Sequence, residues 1–248
     1  MSIDIFFGRD IGNIAERRCL RRLLCHLTAV QTDAVVLANF VVGPQRRQVD
    51  MVVATPKTAV VVEIKGYTHP VHGDLNGPWH LDLGDGKTRS LGPTNPYHQA
   101  LDCRYAVCDA LSAHADLQGH IARAMVLGSL CVFPSPLATS ALPASDHKVV
   151  IGGAPELEAL LERPLPTAMA LDTWRSFARS LQLSHGGEAE PRPASTLVES
   201  YLARFLELRR ALAVPYIEPL IAGEQVATSH LVGRLVDGVQ LHIVGPSG

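Results

Sequence analysis

Apolar residues recur at helical spacing in one part of the chain and in continuous runs in others. Between residues 10 and 27, leucines recur every three to four positions, which predicts an amphipathic helix. Three continuous apolar runs follow, at 34–42, 48–54 and 59–64, and each is typical of a buried strand. Because only a short turn with Pro56 separates the last two, they are expected to pair as an antiparallel hairpin.

The rest of the pattern predicts more helices and strands around the same sheet. Residues 66–94 are rich in Gly, Pro, His and Asp, so we expect a loop or a small hairpin that contains Trp79. Asn95 and Pro96 are typical of a helix N-terminus, and this helix is expected to reach about residue 113. The remaining predictions are strands at 124–133 and 148–151 and helices near 155–163 and 171–183. The order of elements predicts an α/β fold with a mixed β-sheet flanked by helices.

A polar stretch with Gly and Pro, residues 184–195, is the best candidate for a domain boundary. We therefore predict a first domain over 1–185, a linker over 186–195 and a C-terminal extension over 196–248. The extension is expected to open with an amphipathic helix and to end in a strand that runs into a Gly-rich turn.

Composition narrows the class of protein. A hydrophobic fraction of 47% and a charged fraction of 19% exclude disorder over most of the chain. Since neither a membrane-spanning apolar run nor a secretory signal is present, we expect a soluble cytoplasmic protein without a membrane partner. The net charge of −2 gives no overall basic excess for nucleic acid, although one face can still be basic. Five cysteines without a CxxC pair indicate reduced thiols rather than a disulfide framework.

Three ionisable residues interrupt the apolar hairpin. Glu63 and Lys65 are two positions apart and therefore share one face of the sheet. Counting outward from the turn along both strands places Asp50 opposite Glu63, so two carboxylates and an ammonium are expected to meet at one end. The pattern alone leaves two interpretations open: a buried structural ion network, or a Mg²⁺ site for hydrolysis of phosphodiesters.

Four further residues extend this candidate site. Glu16 falls on the leucine stripe of the first helix, where a carboxylate indicates either a partner in the sheet or a rim position favoured by the helix dipole. Gln99 lies in the first turn of the second helix. Arg46 and Arg47 precede the Asp50 strand and are predicted to contact a phosphate of the substrate.

Two other groups of side chains are open to a functional and a plain interpretation. The arginines of the first helix are interpreted as a solvated face, with contact to a DNA backbone as the alternative; they are Arg17, Arg18, Arg21 and Arg22. The histidines near the candidate site lack matching cysteines or a third ligand at helical spacing, which disfavours zinc; they are His69, His72, His80 and His98.

Taken together, these residues resemble the nuclease-related domain (NERD) family of the PD-(D/E)xK nuclease superfamily. The resemblance covers about residues 8–115. It is carried by Glu16, Val49-Asp50, the segment VVEIKG at 61–66, Trp79 and Asn95-Pro96-x-x-Gln99. Gln48 and Gly66 differ from the residues common in the family at their positions, and neither is a proposed ligand.

The resemblance implies a role for each site residue. Asp50 and Glu63, completed by Glu16, would hold Mg²⁺ or Mn²⁺. Lys65 would be catalytic, and Gln99 would position Lys65 or the phosphate. We therefore predict a metal-dependent DNA endonuclease that acts alone or as a homo-oligomer. RNA as the substrate, and a catalytically inactive nucleic-acid sensor or scaffold attached to an ATPase, are the alternatives.

The C-terminal segment 241–248 resembles a strand that enters a Walker A loop, with Gly245 and Gly248 as partial nucleotide-binding positions. The Walker lysine is not among these residues. The preceding stretch is similar to the lead-in of NACHT-like P-loop NTPases, and the plain alternative is a short strand with a Gly turn. The resemblance implies a nuclease effector controlled by an NTPase, as in prokaryotic anti-phage defence proteins, with ATP bound only through that missing NTPase domain.

Overall fold

The computed structural model describes residues 1–115 and 119–188. The helices of this part are α1 (Ile14–Ala29), α2 (Pro96–His114), α3 (Gly119–Met125), α4 (Ala154–Glu162) and α5 (Leu171–Ser180). The strands are β1 (Ile3–Phe7), β2 (Ala34–Val42), β3 (Arg47–Ala54), β4 (Ala59–Lys65), β5 (Val71–His72), β6 (His80–Gly84), β7 (Lys87–Ser90), β8 (Leu127–Val132), β9 (Val149–Gly152) and β10 (Ser184–Glu188). The predicted helix, strand and nucleotide-binding glycines of the C-terminal extension lie outside the described residues.

A seven-stranded mixed sheet in the order β10-β1-β2-β3-β4-β8-β9 forms the centre of the described part. β1 runs parallel to β2, β3 is antiparallel to both β2 and β4, and β8 is parallel to β4 and β9. β5, β6 and β7 form a separate small antiparallel sheet. The predicted α/β fold with a mixed sheet flanked by helices is confirmed.

Both faces of the central strands are covered by helices, which explains their continuous apolar runs. α1 and α4 pack against one face, where Met51, Val53 and Val62 point. α2 and α5 pack against the other face, on Val52 and Val61. Residues without polar alternation suit a strand that is buried on both sides.

Asparagine caps fix the first residues of both long helices. The Asn13 side chain accepts a hydrogen bond from the Ala15 amide at 2.8 Å, so α1 begins at residue 14 and not at residue 10 as predicted. Asn95 caps α2 in the same way, and Pro96 occupies its first turn. The helix predicted to begin at Asn95 is therefore confirmed.

Elsewhere the sequence prediction of elements was incomplete. β1 was missed, and the strand predicted at 124–133 is divided into α3 and the shorter β8. Residues 184–188, predicted as the start of a polar linker, form β10, which pairs antiparallel with β1. No helix of the described residues is long and apolar enough to cross a membrane. The division of the chain into domains stays a prediction.

Candidate functional site

At the end of the β3–β4 hairpin away from the turn, a hydrogen bond to the Asp50 side chain replaces the backbone pairing. The ladder keeps the predicted register from the turn as far as the pair Met51 and Val62, and the next step would set Asp50 opposite Glu63. At that step the Asp50 carboxylate accepts a hydrogen bond from the Ile64 amide at 2.8 Å. The carboxylate of Asp50 therefore ties the end of β3 to β4.

On the other side of Asp50, β2 has an irregular backbone at Asn39. Neighbouring pairs on both sides keep the β2–β3 ladder in register, but Asn39 itself has a φ of 48°. Its side chain donates to the Asp10 carbonyl at 2.7 Å and accepts from Nε2 of the Gln48 side chain at 3.1 Å. Asn tolerates the left-handed region better than most residues, so Asn39 suits this position.

Lys65 links β4 to α2. Its ammonium donates to Glu63 Oε1 at 2.5 Å and to Gln99 Oε1 at 3.0 Å. The Glu63 side chain is 1% exposed and that of Lys65 is 23% exposed, so the pair is buried on the carboxylate side and reaches solvent on the ammonium side. Three of the residues that the sequence predicted for the site are thus brought into direct contact.

Burial and mutual repulsion perturb the carboxyl groups of the site. Burial, and then the charge of Asp50, raise the pKa of Glu63 to about 7, against the opposing effect of Lys65. Burial raises the pKa of Asp50, although the Ile64 amide and Lys65 oppose the shift. Glu16 also has a raised pKa, first because of burial and then because of the charge of Asp50. We call Glu16, Asp50 and Glu63 the carboxylate cluster.

The charge balance of the carboxylate cluster suits a divalent cation. With all three groups ionised, three buried negative charges face the single ammonium of Lys65, which leaves an excess of two. Within the described residues no three His, Cys, Asp or Glu side chains converge as a ready-made metal cage. Mg²⁺ keeps several water ligands and commonly uses only one or two carboxylates, so this donor set fits it.

The first turn of α1 packs directly on the end of β4. A Cβ atom added to Gly66 would lie 2.6 Å from the Cβ of Ala15, which leaves no room for a side chain. Glu16, the next residue of α1, is 8% exposed and lies close enough to Asp50 for the charge of Asp50 to raise its pKa. The glycine at position 66 is therefore explained by the close approach of helix and strand.

Sequence reasoning missed two residues beside Glu63. The Cys103 thiol donates to the Gln48 carbonyl at 3.2 Å and lies 3.8 Å from Glu63 Oε2. Burial raises the pKa of Cys103 to about 12, so it remains a neutral thiol. The charge of Glu63 also contributes to a raised pKa of Tyr67, after burial. Cys103 lies one helical turn after Gln99, and that spacing was the available signal; Tyr67 gave none.

The arginines predicted to bind substrate lie at the start of β3. Arg46 is exposed, with a φ of 52°. Arg47 forms an ion pair with Asp102 of α2 at 2.8 Å and lines a groove of about 390 Å³ between the β2–β3 turn and α2. Contact of either arginine with a phosphate stays a prediction. In the small sheet, His72 lies opposite His80.

Comparison with known proteins identifies the family. The sequence model of the nuclease-related domain (NERD) family matches residues 11–134, which is half of the chain. This chain belongs to the NERD family. The NERD match contains the whole carboxylate cluster together with Lys65 and Gln99, and it ends just after β8. Membership implies a nuclease-related function. Neither curated proteins nor solved structures gave a match.

Proposed function

We propose that this NERD-family protein is a metal-dependent nuclease of the PD-(D/E)xK type that hydrolyses phosphodiester bonds of DNA. The observation that carries the proposal is the carboxylate cluster, in which the pKa of three largely buried carboxyl groups is raised at the open end of the β3–β4 hairpin, beside one partly exposed ammonium. Buried charges of one sign are costly unless a counter-charge joins them. A cation together with an anionic substrate satisfies that requirement.

Asp50 and Glu63 would hold Mg²⁺ or Mn²⁺, and Glu16 would complete the set through its own oxygen or a water. The metal would neutralise charge on the scissile phosphate and lower the pKa of a bound water. Oxygen ligands on two paired strands and a helix turn suit a hard cation, because their backbone positions are fixed by the sheet. The hydrogen bond from the Ile64 amide leaves the other oxygen of Asp50 for this role.

Besides the charge of a bound metal, the site would have the positive charge of the Lys65 ammonium. Glu63 and Gln99 each accept one of its hydrogen bonds, which leaves one of the three ammonium protons for a water or a phosphate oxygen. The ammonium is thus oriented by the protein before substrate binds. Charge that is fixed in advance stabilises the pentavalent phosphorane without reorganisation during the reaction.

Cleavage of plasmid DNA tests the proposal. We expect nicking with Mg²⁺ or Mn²⁺ and none with EDTA, and loss of activity of at least a hundredfold in Lys65→Ala and Asp50→Asn. Lys57→Ala is the matched control, because Lys57 is exposed and, among the described residues, its ammonium pairs with Glu162 alone. Equal cleavage by the wild type, Lys65→Ala and Asp50→Asn would sink the assignment.

A catalytically inactive domain is the second candidate, and one observation favours it. Lys65 already has two acceptors in the protein, as a purely structural ion network requires. In that case the chain would be a nucleic-acid sensor or scaffold attached to an ATPase. DNA binding in EDTA with no cleavage under any divalent ion would support this function over the nuclease.

We also propose that segment 241–248 opens a P-loop NTPase that controls the nuclease in anti-phage defence. The support is the resemblance of this segment to a Walker A strand and loop. Without the motif lysine, these 248 residues are expected to show no ATP binding by calorimetry. A protein that continues through the complete motif should bind ATP, and nuclease activity that ignores nucleotide in such a protein would contradict the control.

A further inference from the structure

The basic side chains of helix α1 fall into two groups, those close to a carboxylate and those without one nearby in the described part of the chain. On the side next to α4, Arg22 forms an ion pair with Glu158 at 2.7 Å, and His26 lies 3.6 Å from Glu162. The other three cations are exposed and make no ion pair with a carboxylate of the described residues; they are Arg17, Arg18 and Arg21. We call these three the arginine row.

The arginine row starts at the residue after Glu16 and lies on the exposed face of α1. Arg17 follows Glu16 directly, and at about 100° and 1.5 Å per residue the row covers one turn of the outer face. The inner face of the same turns is buried through Cys19, Leu20 and Leu23. The row therefore shares the first turns of α1 with Glu16 but presents its guanidinium groups to solvent.

The outer face of an amphipathic helix needs polar side chains, but folding does not require them to be cationic. Cations in the N-terminal half of a helix oppose the helix dipole, and these three have no described carboxylate to offset that cost. All three are arginines, and each carries the planar fork that can bind phosphate in a bidentate manner.

A substrate polyanion needs such a row. The chain has a net charge of −2, so its overall field does not attract DNA and any attraction must come from a local group of cations. We propose that the arginine row binds the phosphate backbone of duplex DNA and guides it to the cluster, an inference that rests on the proposed nuclease function. The contact is to phosphates, and no base sequence is read by it.

Salt-dependent binding tests the arginine row without any cleavage. The full chain is titrated into a fluorescent DNA duplex in EDTA at several salt concentrations. Each phosphate contact contributes a slope of about 0.9 in log K against log salt, so Arg17→Gln/Arg21→Gln should lower the slope by about 2 and weaken binding at least tenfold near 0.1 M salt. Arg17→Lys/Arg21→Lys should restore most of the slope, because the charge is kept.

Arg163→Gln/Arg179→Gln is the matched control. It removes the same charge from exposed residues at the ends of α4 and α5, and the Leu165 amide next to Arg163 bonds the hairpin turn at Lys57, away from the cluster. An unchanged slope in Arg17→Gln/Arg21→Gln, or an equal decrease in the control, overturns the proposal. So does loss of binding to anionic lipid vesicles with DNA binding intact, because the row would then serve a membrane surface.

The arginine row and the nuclease can fail separately. If the wild type binds DNA with the expected slope but cleaves under no divalent ion, the nuclease function is refuted and the row remains. If the wild type cleaves and the slope of the double variant is unchanged, the row is refuted and the nuclease remains. Thermal melting of each variant confirms that these surface changes leave the fold intact.

Discussion

Between pH 4.5 and about 7, Glu63 of the folded, metal-free protein holds a proton that it releases when the chain unfolds. Its pKa is raised from 4.5 to about 7, with burial as the main cause. Because the pKa is raised, folding favours the protonated form of Glu63. The stability that the protonated form contributes is fully present below pH 4.5 and is lost as the pH rises through 7. As the pH rises through 7, Glu63 ionises in the folded protein at a cost in stability that a bound cation would offset.

Glu63→Gln should reverse this loss. In EDTA we expect the variant to become more stable than the wild type as the pH rises from 4.5 to 7, by about 2 to 3 kcal/mol at the upper end. Urea unfolding at several pH values measures the difference. Glu162→Gln is the control of opposite sign, because a hydrogen bond from Lys57 lowers the pKa of Glu162. A difference between Glu63→Gln and wild type that does not change with pH would contradict the shift.

Asn39 should be needed for both its backbone and its side chain. Asn39→Gly keeps the left-handed backbone but removes two hydrogen bonds, at about 1 kcal/mol each. Asn39→Ala removes the same bonds and should cost about 1 kcal/mol more, because alanine is strained at this φ. Urea unfolding measures both variants. Equal stability of the two would show that the backbone conformation is unimportant.

The sequence predicted those site residues whose positions follow from strand or helix periodicity. Glu63 and Lys65 share a face because they are two apart, and Asp50 follows from the turn. Cys103 and Asn39 were not predicted as neighbours of the site, because their contacts depend on how α2 and β2 approach β3, and periodicity within one element carries no such information.

At the scale of elements, the contact between α1 and β4 determines where Glu16 lies. Gly66→Ala would force its Cβ against Ala15, and overpacking of this kind costs about 1 to 3 kcal/mol. We expect the variant to unfold at lower urea concentration and to lose nuclease activity by displacing Glu16. Gly12→Ala, which has open space around it, is the control and should change stability little.

The double variant Gly66→Ala/Ala15→Gly separates the clash from other effects of the substitution. Removing the Ala15 side chain opens the space that the new Cβ needs, so activity should return even though glycine in a helix costs about 1 kcal/mol. Failure of the second substitution to restore activity would show that the distance between α1 and β4 is not what positions Glu16.

Elements with strong periodicity or long apolar runs were predicted well, as β2 to β4 and α2 illustrate. β10 was missed because its sequence, SHGGE, is polar and contains two glycines, as a linker does. It is a strand because β1 offers it an edge, and such pairing is a property of the assembled sheet rather than of the segment.

At the scale of the whole molecule, the first and last strands of the described chain lie side by side. Asp4 of β1 accepts a hydrogen bond from Arg175 of α5 at 2.7 Å, and β10 covers the free edge of β1. We expect a chain that ends at residue 189 to unfold in one cooperative transition, since residues 1–189 form one compact unit.

A chain that ends at residue 183 should behave differently. It loses β10 and leaves the edge of β1 unpaired, so we expect a lower unfolding midpoint and concentration-dependent aggregation. Urea unfolding and light scattering of the two truncated chains provide the comparison. Equal midpoints and equal scattering would show that β10 contributes nothing to the sheet.

The pairing of β1 with β10 also sets an order of events during synthesis on the ribosome. Every residue of the proposed site precedes residue 104, whereas the strand that pairs with β1 ends at Glu188. At about 5 to 20 residues per second, roughly 4 to 17 s pass between the synthesis of the two. During that interval a nascent chain presents the open backbone of β1 to its neighbours on the same messenger RNA. The site residues of this protein are thus synthesised well before the edge of β1 is paired.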